Sequence, residues 1–179
     1  VGGVYVLTTQ AELLWFASEV NGGNTAIKAR LGNDLVLTAT SWYPIGSSQT
    51  PFHGTFDGDG KTISGFQMTT SKGEQGFFGV VGGNGQVKNL HVSGTVNATG
   101  DNALAIGGIA GTVEGEILGC TFSGSVSGTA QVGGIVGMID LHGMVKECRN
   151  TASVSGSDKV GGIAGTSSYG DIYYCVNKG

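Results

Sequence analysis

Two carboxylates at equivalent positions of an internal repeat are the residues of this chain best placed for catalysis. Glu116 and Asp171 each stand directly before an apolar-x-x-Cys unit. If the repeats stack about 4.8 Å apart, two steps separate the carboxylates by about 9.6 Å, near the upper limit for an inverting glycosidase. Because other copies carry Gln86, Met144 and Thr62 at this position, it is typical of a solvent-exposed column. We therefore predict no catalytic residue and no enzyme, with a polysaccharide lyase or hydrolase that uses the two carboxylates as the alternative.

Three cysteines recur at the last position of this unit, at Cys120, Cys148 and Cys175. A zinc site needs converging ligands such as Cys-x-x-Cys or an added histidine, and none of the three histidines is spaced for this. A disulfide between neighbouring copies would leave one thiol unpaired. Since Leu90 and Phe66 take the same position in earlier copies, the simpler interpretation is an apolar slot filled by a free thiol. We predict no metal and no cofactor.

The segment "FDGDGK" carries Asp57 and Asp59, whose carboxylates could offer oxygen ligands to Ca²⁺. A complete calcium loop has more ligands at fixed spacing, and Asp-Gly is a strong turn signal. We interpret the segment as a turn and keep a calcium site as the alternative.

Small polar residues flank a column of valines, Val96, Val126 and Val154, and should form outward ladders at Thr95, Ser125, Ser153, Asn97, Ser127 and Ser155. Such a regular face could bind a glycan or ice, although a solvated β-surface is the simpler interpretation. Five aromatic residues could stack on sugars but are expected to pack in the core or at an end of the fold: Trp42, Tyr43, Tyr169, Tyr173 and Tyr174.

An internal repeat must position all of these residues. A Gly-apolar-apolar-Gly unit begins at Gly76, Gly108, Gly134 and Gly162, and an apolar-x-x-apolar unit follows it each time. The period of about 28 residues lies in the range of solenoid repeats. Apolar and small polar residues alternate between the units, as in "CTFSGSVSG", which predicts short strands. With weaker copies at "KTISGF" and "NDLVLT", we predict an all-β parallel β-helix, or β-solenoid, of five to six coils.

In a solenoid, like residues of successive coils stack over one another. Phe77, Ile109, Ile135 and Ile163 are therefore expected to form one inward column. The glycines beside them either turn a corner with positive φ or let neighbouring walls approach closely, and the sequence leaves both roles open.

One stretch, "TTQAELLWFASEVNGG", predicts a helix. Thr9 as N-cap and Glu12 three residues later form a capping box. Its apolar face carries Leu13, Phe16, Ala17 and Val20. We expect this helix to cover the open apolar end of the first coil and to block edge-to-edge aggregation.

The composition restricts the class of function. The chain has 179 residues, of which 35 are Gly and 2 are Pro, and its net charge is −4 with 12% charged residues. This length suits one domain with a sizeable core. No basic patch is present to bind nucleic acid, and no apolar run approaches the roughly 18 residues that membrane insertion of this segment would need. Three cysteines do not reveal the redox compartment.

The motifs "GGIAG" and "GGIVG", followed by apolar-x-x-Cys and a Ser-Val-Ser-Gly stretch, resemble the GLUG motif repeat of bacterial cell-surface proteins. The upstream "SWYPIGSSQTPFHGTFDGDGKTISGF" is similar to the segment that commonly precedes such repeats, so the resemblance covers roughly residues 30 to 179. The first copy departs from the pattern with "GFFG". The resemblance implies a right-handed parallel β-helix and an extracellular location. Similar repeats accompany an immunoglobulin A-cleaving metalloprotease family, but this chain lacks His-Glu-x-x-His.

We predict one β-solenoid domain over residues 1–179, with an N-terminal strand and capping helix in 1–25, irregular first coils in 26–75 and GLUG-like repeats in 76–179. "CVNKG" stops where "CRNTASVSG" continues, so we expect a truncated last copy and a longer repeat-containing chain. The predicted function is a non-catalytic module of a secreted or cell-surface protein, acting as an adhesin-like surface or a rigid spacer. Its expected partners are host or microbial glycans or surface proteins.

Overall fold

Short strands stacked in parallel make up almost all of the molecule. The computed structural model describes residues 3–38, 41–100 and 102–179 and shows a parallel β-solenoid of about six turns. Every pair of strands in these ranges is parallel, as it must be when each coil repeats the path of the one before. The predicted β-helix is therefore confirmed.

The strands form four stacks, here called walls A to D. Wall A contains β1 (Val4–Leu7), β2 (Lys28–Leu31), β4 (Thr55–Asp57), β7 (Gln86–Lys88), β11 (Glu116–Leu118), β15 (Met144–Lys146) and β20 (Asp171–Tyr173). Wall B contains β3 (Leu35–Val36), β5 (Thr62–Thr70), β8 (His91–Ala98), β12 (Thr121–Ser127), β16 (Arg149–Asn150), β17 (Ser153–Ser155) and β21 (Val176–Asn177).

Walls C and D contain fewer layers because the first coils do not contribute a strand to them. Wall C contains β6 (Phe78–Val81), β10 (Ala110–Val113), β14 (Val136–Ile139) and β19 (Ala164–Ser167). Wall D contains β9 (Leu104–Gly107), β13 (Ala130–Gly133) and β18 (Asp158–Gly161).

The predicted isoleucine column is present at the corner between walls D and C. The backbone N–H of Ile109 donates to the carbonyl of Ile135 at 2.9 Å, and the N–H of Ile135 donates to that of Ile163 at 3.0 Å. Phe77 precedes Phe78, which pairs with the residue after Ile109, and so extends the column by one coil. Like residues of the repeat therefore line a shared interior.

The register predicted for the segment before residue 76 is wrong. "KTISGF" was expected to align Ile63 with Val87 of wall A, but Ile63 lies in wall B, opposite Val92 and Leu35. The position next to Val87 belongs to Phe56. An apolar-x-x-apolar spacing is short enough to recur by chance in a coil that follows a different path.

Two further positions change with this register. Thr62 pairs with His91, so Thr55 rather than Thr62 shares the column of Gln86 and Glu116. Phe66 lies opposite Gly94 and does not stack on Leu90, because β5 shifts its register between Ile63 and Phe66.

An aromatic cluster fills the N-terminal half of the core. Phe52, Phe56, Phe66, Phe77 and Phe78 are fully buried. Most pairs among them, such as Phe56 and Phe78 with centroids 5.5 Å apart, meet edge to face, the arrangement that aromatic quadrupoles favour. The later coils fill the same space with Ile, Val and Cys.

The helix α1 (Gln10–Asn21) covers the first coil, as predicted. Thr9 and Glu12 form the expected capping box, and the side chains of Leu13, Phe16, Ala17 and Val20 are buried. The Phe16 ring contacts Phe52 and Phe56 at centroid distances of 5.9 and 5.4 Å. The N-terminal end of the core is thereby shielded from water.

The glycines of the repeat permit close approach of neighbouring chain segments. A Cβ atom at Gly134 would overlap the side chain of Asn150 and the carbonyl oxygen of Gly162, and none of the paired glycines at these corners has positive φ. Positive φ falls instead on the second residue of each strand of wall D, at Ala105, Gln131 and Lys159, and on Glu74, which lies against the first of these strands in the preceding coil. Close approach is therefore the role that requires glycine here.

Candidate functional site

The two carboxylates predicted as catalytic candidates share one column of wall A. Glu116 pairs with Met144, and Met144 pairs with Asp171, so a thioether lies between the acids. Gln86 lies in the same column, and its side-chain amide Nε2 donates to Glu116 Oε2 at 2.8 Å. Asp171 is exposed at the last layer, where its charge raises the pKa of Tyr173. The column is part of a flat wall.

The Asp57 carboxylate stabilises a turn, as the sequence indicated. Its Oδ1 accepts the backbone N–H of Asp59 at 2.9 Å and the side-chain amide of Asn89 at 3.2 Å. Lys88 lies 3.5 Å from the other oxygen, and Arg30 lies 3.4 Å from Asp59. Partial burial alone would raise the pKa of Asp57, but these hydrogen bonds and the lysine charge outweigh burial and lower the pKa.

The three cysteines form a ladder of free thiols. Cys120 and Cys148 are buried, whereas Cys175 in the last coil is half-buried. Each sulfur donates to the carbonyl two residues before it and to a carbonyl of the preceding coil; for Cys148 the distances are 3.3 Å to Lys146 and 3.5 Å to Ile117. Hydrogen bonding with the Cys120 side chain, together with burial, raises the pKa of Cys148 to about 12. Cys148 therefore stays protonated at neutral pH.

The predicted polar ladders are present on wall B. Val126 pairs with Val96 and Val154, so the flanking small polar residues also stack in register. Ser127 Oγ donates to Asn97 Oδ1 at 3.0 Å, and Ser125 Oγ lies 3.4 Å from Thr95 Oγ1. Ser153 Oγ donates to the Gly124 carbonyl, so the hydroxyls bond to side chains and carbonyls of the neighbouring coil and form a regular solvated face.

The structure divides the five aromatic candidates. Trp42 is buried, as expected, and its indole N–H donates to the Phe77 carbonyl at 2.9 Å. The expectation of core or end packing is wrong for Tyr43, Tyr169 and Tyr174, whose exposed fractions are 79, 85 and 81%. Each of these three lies in a turn or loop rather than in an inward column, so nothing covers its ring. Tyr173 is also exposed, by 45%, and ends β20 in the last layer.

Tyr43 lines a groove on the surface of the first coils. This groove lies between residues 41–50 and residues 69–75 and has a volume of about 660 Å³. Its lining is rich in hydroxyl and amide side chains, including Ser48, Gln49, Thr69, Ser71 and Gln75.

The loop 41–50, which forms one side of the groove, is held in place by contacts of Trp42, Asn21 and Ile45. The Trp42 ring stacks on Phe77 with centroids 4.6 Å apart and planes inclined by 12°. Asn21 at the end of α1 donates to the Pro44 carbonyl at 3.0 Å and accepts the N–H of Gly46 at 2.8 Å. Ile45 forms a parallel bridge with Phe78. The loop is thus fixed to both the helix and the core.

Sequence reasoning missed this groove. The available signal was the Trp-Tyr-Pro stretch followed by "IGSSQT", which interrupts the repeat with a dense run of small polar residues. The opposite side, "TTSKGEQ", lies about one coil further on, and no pattern in the sequence links the two.

The described ranges contain neither a cluster of metal ligands nor a membrane-spanning helix. No group of three or more His, Cys, Asp or Glu side chains is placed there to hold a metal ion. No helix in the same ranges has the length and apolar character needed to cross a membrane.

Two curated proteins share sequence with this chain. Halomucin of Haloquadratum walsbyi is 32% identical over 150 residues, which cover 75% of this chain and 2% of halomucin. A protein named as a Gly-rich membrane protein of Evansella cellulosilytica is 36% identical over 96 residues, 49% of this chain and 11% of that protein. This chain therefore corresponds to a small part of either relative. No family model and no solved structure matches it, so the resemblance to GLUG repeats stays a prediction.

Proposed function

We propose that this chain is a non-catalytic β-solenoid module of a secreted or cell-surface protein, of the GLUG-like kind, and that it acts as an adhesin-like binding surface carried on a rigid spacer. The observation that carries the proposal is the continuous, in-register parallel stacking of wall A. Seven strands of wall A stack over about 30 Å, at about 4.8 Å per layer.

The packing of the inward columns supports a stiff, rod-shaped module. Each coil places Ile, Val or Phe on the same residue types of its neighbours, and close-packed interiors resist deformation. The outward columns of small hydroxyls give the rod a polar, weakly charged surface. A module of this kind suits display outside a cell because its shape depends on packing between coils.

The relatives support the surface location. Their names refer to a mucin and to a membrane protein, and both match this chain over only a small share of their own length. A repeat module within a much longer surface protein fits both observations.

An experiment that separates binding from catalysis tests the proposal. The purified chain is incubated with pectins and glycosaminoglycans, and reducing ends and unsaturated products are measured over time. We expect no turnover. Turnover that is abolished in Glu116→Gln and in Asp171→Asn would overturn the proposal and establish the alternative, a carbohydrate-active enzyme. The motivation for that alternative is their shared column, in which two layers give a spacing of about 9.6 Å.

A glycan array with the same chain then tests the adhesive part. Specific binding to glycans supports an adhesin-like surface. A negative result across glycans and surface proteins would remove the adhesive part and leave a passive spacer.

A further inference from the structure

We propose that the groove between residues 41–50 and 69–75 is a carbohydrate-binding site that accepts a short stretch of a neutral oligosaccharide. This inference rests on the adhesive part of the proposed function, for which it names both the place and the class of ligand.

The groove has the size of a ligand site. Its volume of about 660 Å³ falls within the roughly 300–1,000 Å³ typical of small-molecule pockets. It is open along one side, between two loops of neighbouring coils. A ligand can therefore enter from that side.

The lining matches the hydrogen-bonding pattern of a sugar. Hydroxyl and amide side chains both donate and accept hydrogen bonds, as sugar hydroxyls do. Within the groove, Ser48 and Gln49 are exposed, whereas Gln75 donates to the carbonyls of Gly73 and Glu74. Gln75 is thus held by its own loop, and its side-chain oxygen is left available as an acceptor.

Tyr43 supplies an apolar surface in this polar lining. Its ring is 79% exposed, although an aromatic ring gains free energy by leaving water. A pyranose ring presents a face of C–H groups that can cover such a ring while its hydroxyls reach the surrounding amides. An amphipathic side chain with only two rotatable bonds also loses little entropy when it is covered.

The loop that carries Tyr43 is already in place. The Trp42 stack on Phe77 and the two hydrogen bonds of Asn21 hold the residues on either side of Tyr43. Because a fixed loop does not have to be ordered on binding, more of the contact energy appears as affinity.

The charges favour a neutral ligand. Lys72 and Glu74 both line the groove and carry opposite signs, so the site has no excess charge to attract a polyanion. A peptide would need an open apolar pocket for an anchoring side chain, but the large apolar side chain of this loop, Trp42, is buried in the core. A neutral saccharide fits both conditions.

Titration with defined saccharides tests this assignment. The full chain, labelled with ¹⁵N, is titrated with cellotriose, maltotriose, xylotriose, triacetylchitotriose and galactotriose, and with heparin and an unstructured Ser/Gly/Lys peptide as competing classes. We expect at least one neutral trisaccharide to shift the signals of residues 41–50 and 69–75 saturably at millimolar concentration. Tyr43→Ala should weaken that binding about tenfold, which corresponds to about 1.4 kcal/mol, because the mutation removes the exposed aromatic ring that the sugar would cover.

Matched variants keep the result interpretable. Tyr169→Ala removes an equally exposed tyrosine outside the groove and should leave the affinity unchanged. Gln49→Ala, a second change inside the groove, should weaken binding by a smaller factor. Because all three side chains are exposed, the variants should give the wild-type spectrum elsewhere.

Three results would overturn the inference: no shift in the groove with any neutral trisaccharide, equal affinity of wild type and Tyr43→Ala, or a groove that prefers heparin or the peptide. Binding of a glycan elsewhere, with the groove silent, would reject this site and retain the adhesive function. Cleavage of a trisaccharide bound at Tyr43 would do the reverse, since it would retain the site and reject a non-catalytic module.

Discussion

The two ends of the solenoid differ in what covers the apolar core. At the N-terminal end, α1 and a cluster of phenylalanines shield the first coils, and Phe16 reaches across to Phe56. At the other end of the described residues, β18, β19, β20 and β21 each pair on one side only. Three apolar side chains of these strands, Val160, Ile172 and Val176, are 43–45% exposed.

One column shows what this difference means. Phe56, Val87, Ile117, Val145 and Ile172 stack in register along wall A, and the first four are completely buried. The last residue has the same chemistry and the same place in its coil but lacks a layer above it. Burial in a solenoid is therefore supplied by the neighbouring coil, and the stability that a residue contributes should depend on which layer it occupies.

The largest expected effect lies at the covered end. Phe56→Ala should lower the free energy of unfolding by about 3–5 kcal/mol, because it opens a cavity between Phe16 and Phe78 that the helix cannot move in to fill. Urea unfolding followed by circular dichroism measures the change. A cost below about 1 kcal/mol would show that the aromatic cluster is not closely packed.

A matched pair in the same column isolates the effect of the layer. Ile117→Ala should cost about 2–5 kcal/mol, whereas Ile172→Ala, at a side chain that is 43% exposed, should cost about 1 kcal/mol or less. Equal costs would contradict the view that the last layer is less well covered than the interior layers.

The next largest change in stability is expected at the glycines that let neighbouring chain segments pack closely. An added Cβ at Gly134 would overlap Asn150 and the Gly162 backbone, whereas at Gly162 all three nearest atoms belong to the Asn177 side chain. Asn150 is fully buried and bonded to Ala152, but Asn177 is exposed. Gly134→Ala should therefore destabilise by about 1–3 kcal/mol through overpacking.

Gly162→Ala is the control for this prediction. Its cost should be smaller, because the exposed Asn177 side chain can move into solvent. That movement gives up the hydrogen bond from Asn150 Nδ2 at 2.8 Å, although the same amide also donates to the Ala152 carbonyl. Thermal melting of both variants decides the matter. If Gly134→Ala has the same melting temperature as the wild type, the corner is less tightly packed than the distances indicate.

A smaller effect should follow from loosening the covering helix. Thr9→Ala removes the acceptor for the Glu12 N–H, at 3.3 Å, and should cost about 0.5–2 kcal/mol. Hydrogen bonds from Thr8, and then from Thr9, lower the pKa of Glu12. The stabilisation from this carboxylate is therefore present above the ordinary glutamate pKa of about 4.3 and is lost as the pH falls through the lowered value.

The exposed Thr99 serves as the comparison, and Thr99→Ala should change stability by less than about 0.5 kcal/mol. Unfolding curves at pH 7 compare these two variants. The pH dependence is read from Glu12→Gln, which should be less stable than the wild type at pH 7 and closer to it at pH 3, because Thr8 and the Thr9 N–H donate to the carboxylate. A gap between Glu12→Gln and wild type that stays constant would mean that the ionised carboxylate contributes nothing.

The fold from residue 76 onward could be predicted because its coils repeat with nearly constant spacing. Each repeat carries the same residue types at the same positions. Aligning the repeats on the columns of Ile109, Cys120 and Val126 therefore gives the register of the strands. Before residue 76 the coils differ in length, and β5 shifts its register, so a short spacing such as that of Ile63 and Phe66 led to the wrong wall.

The groove could not be predicted for a related reason. It forms where two non-repeating loops meet, and their separation depends on the Trp42 stack and on the hydrogen bonds of Asn21, which no period encodes. The role of the glycines was also open, because only the distance between neighbouring walls distinguishes close approach from a positive φ. Exposure of Tyr43 follows from the path of its loop, which the sequence pattern does not describe.

The three cysteines compare the covered layers with the last layer through their rates of chemical labelling. We expect no effect of these thiols on stability at neutral pH. Cys120 and Cys148 should resist labelling in the native protein at pH 8, because they are buried and a pKa of about 12 leaves Cys148 a thiolate fraction on the order of 10⁻⁴. Cys175 should label first, since it is half-buried in the last layer, although hydrogen bonding with Cys148 and burial raise its pKa as well.

The raised pKa also sets the pH window of the effect on stability. The folded protein holds the Cys148 proton more tightly than the unfolded chain, so this thiol leaves stability unchanged below about pH 8.5 and lowers it as the pH rises towards 12, by at most about 1.4 kcal/mol per pH unit. Mass spectrometry of alkylated peptides, with and without denaturant, gives the labelling order. Fast native labelling of Cys120 and Cys148 would place the ladder outside the core, and labelling of all three at one rate would mean that the last layer is as well covered as the others.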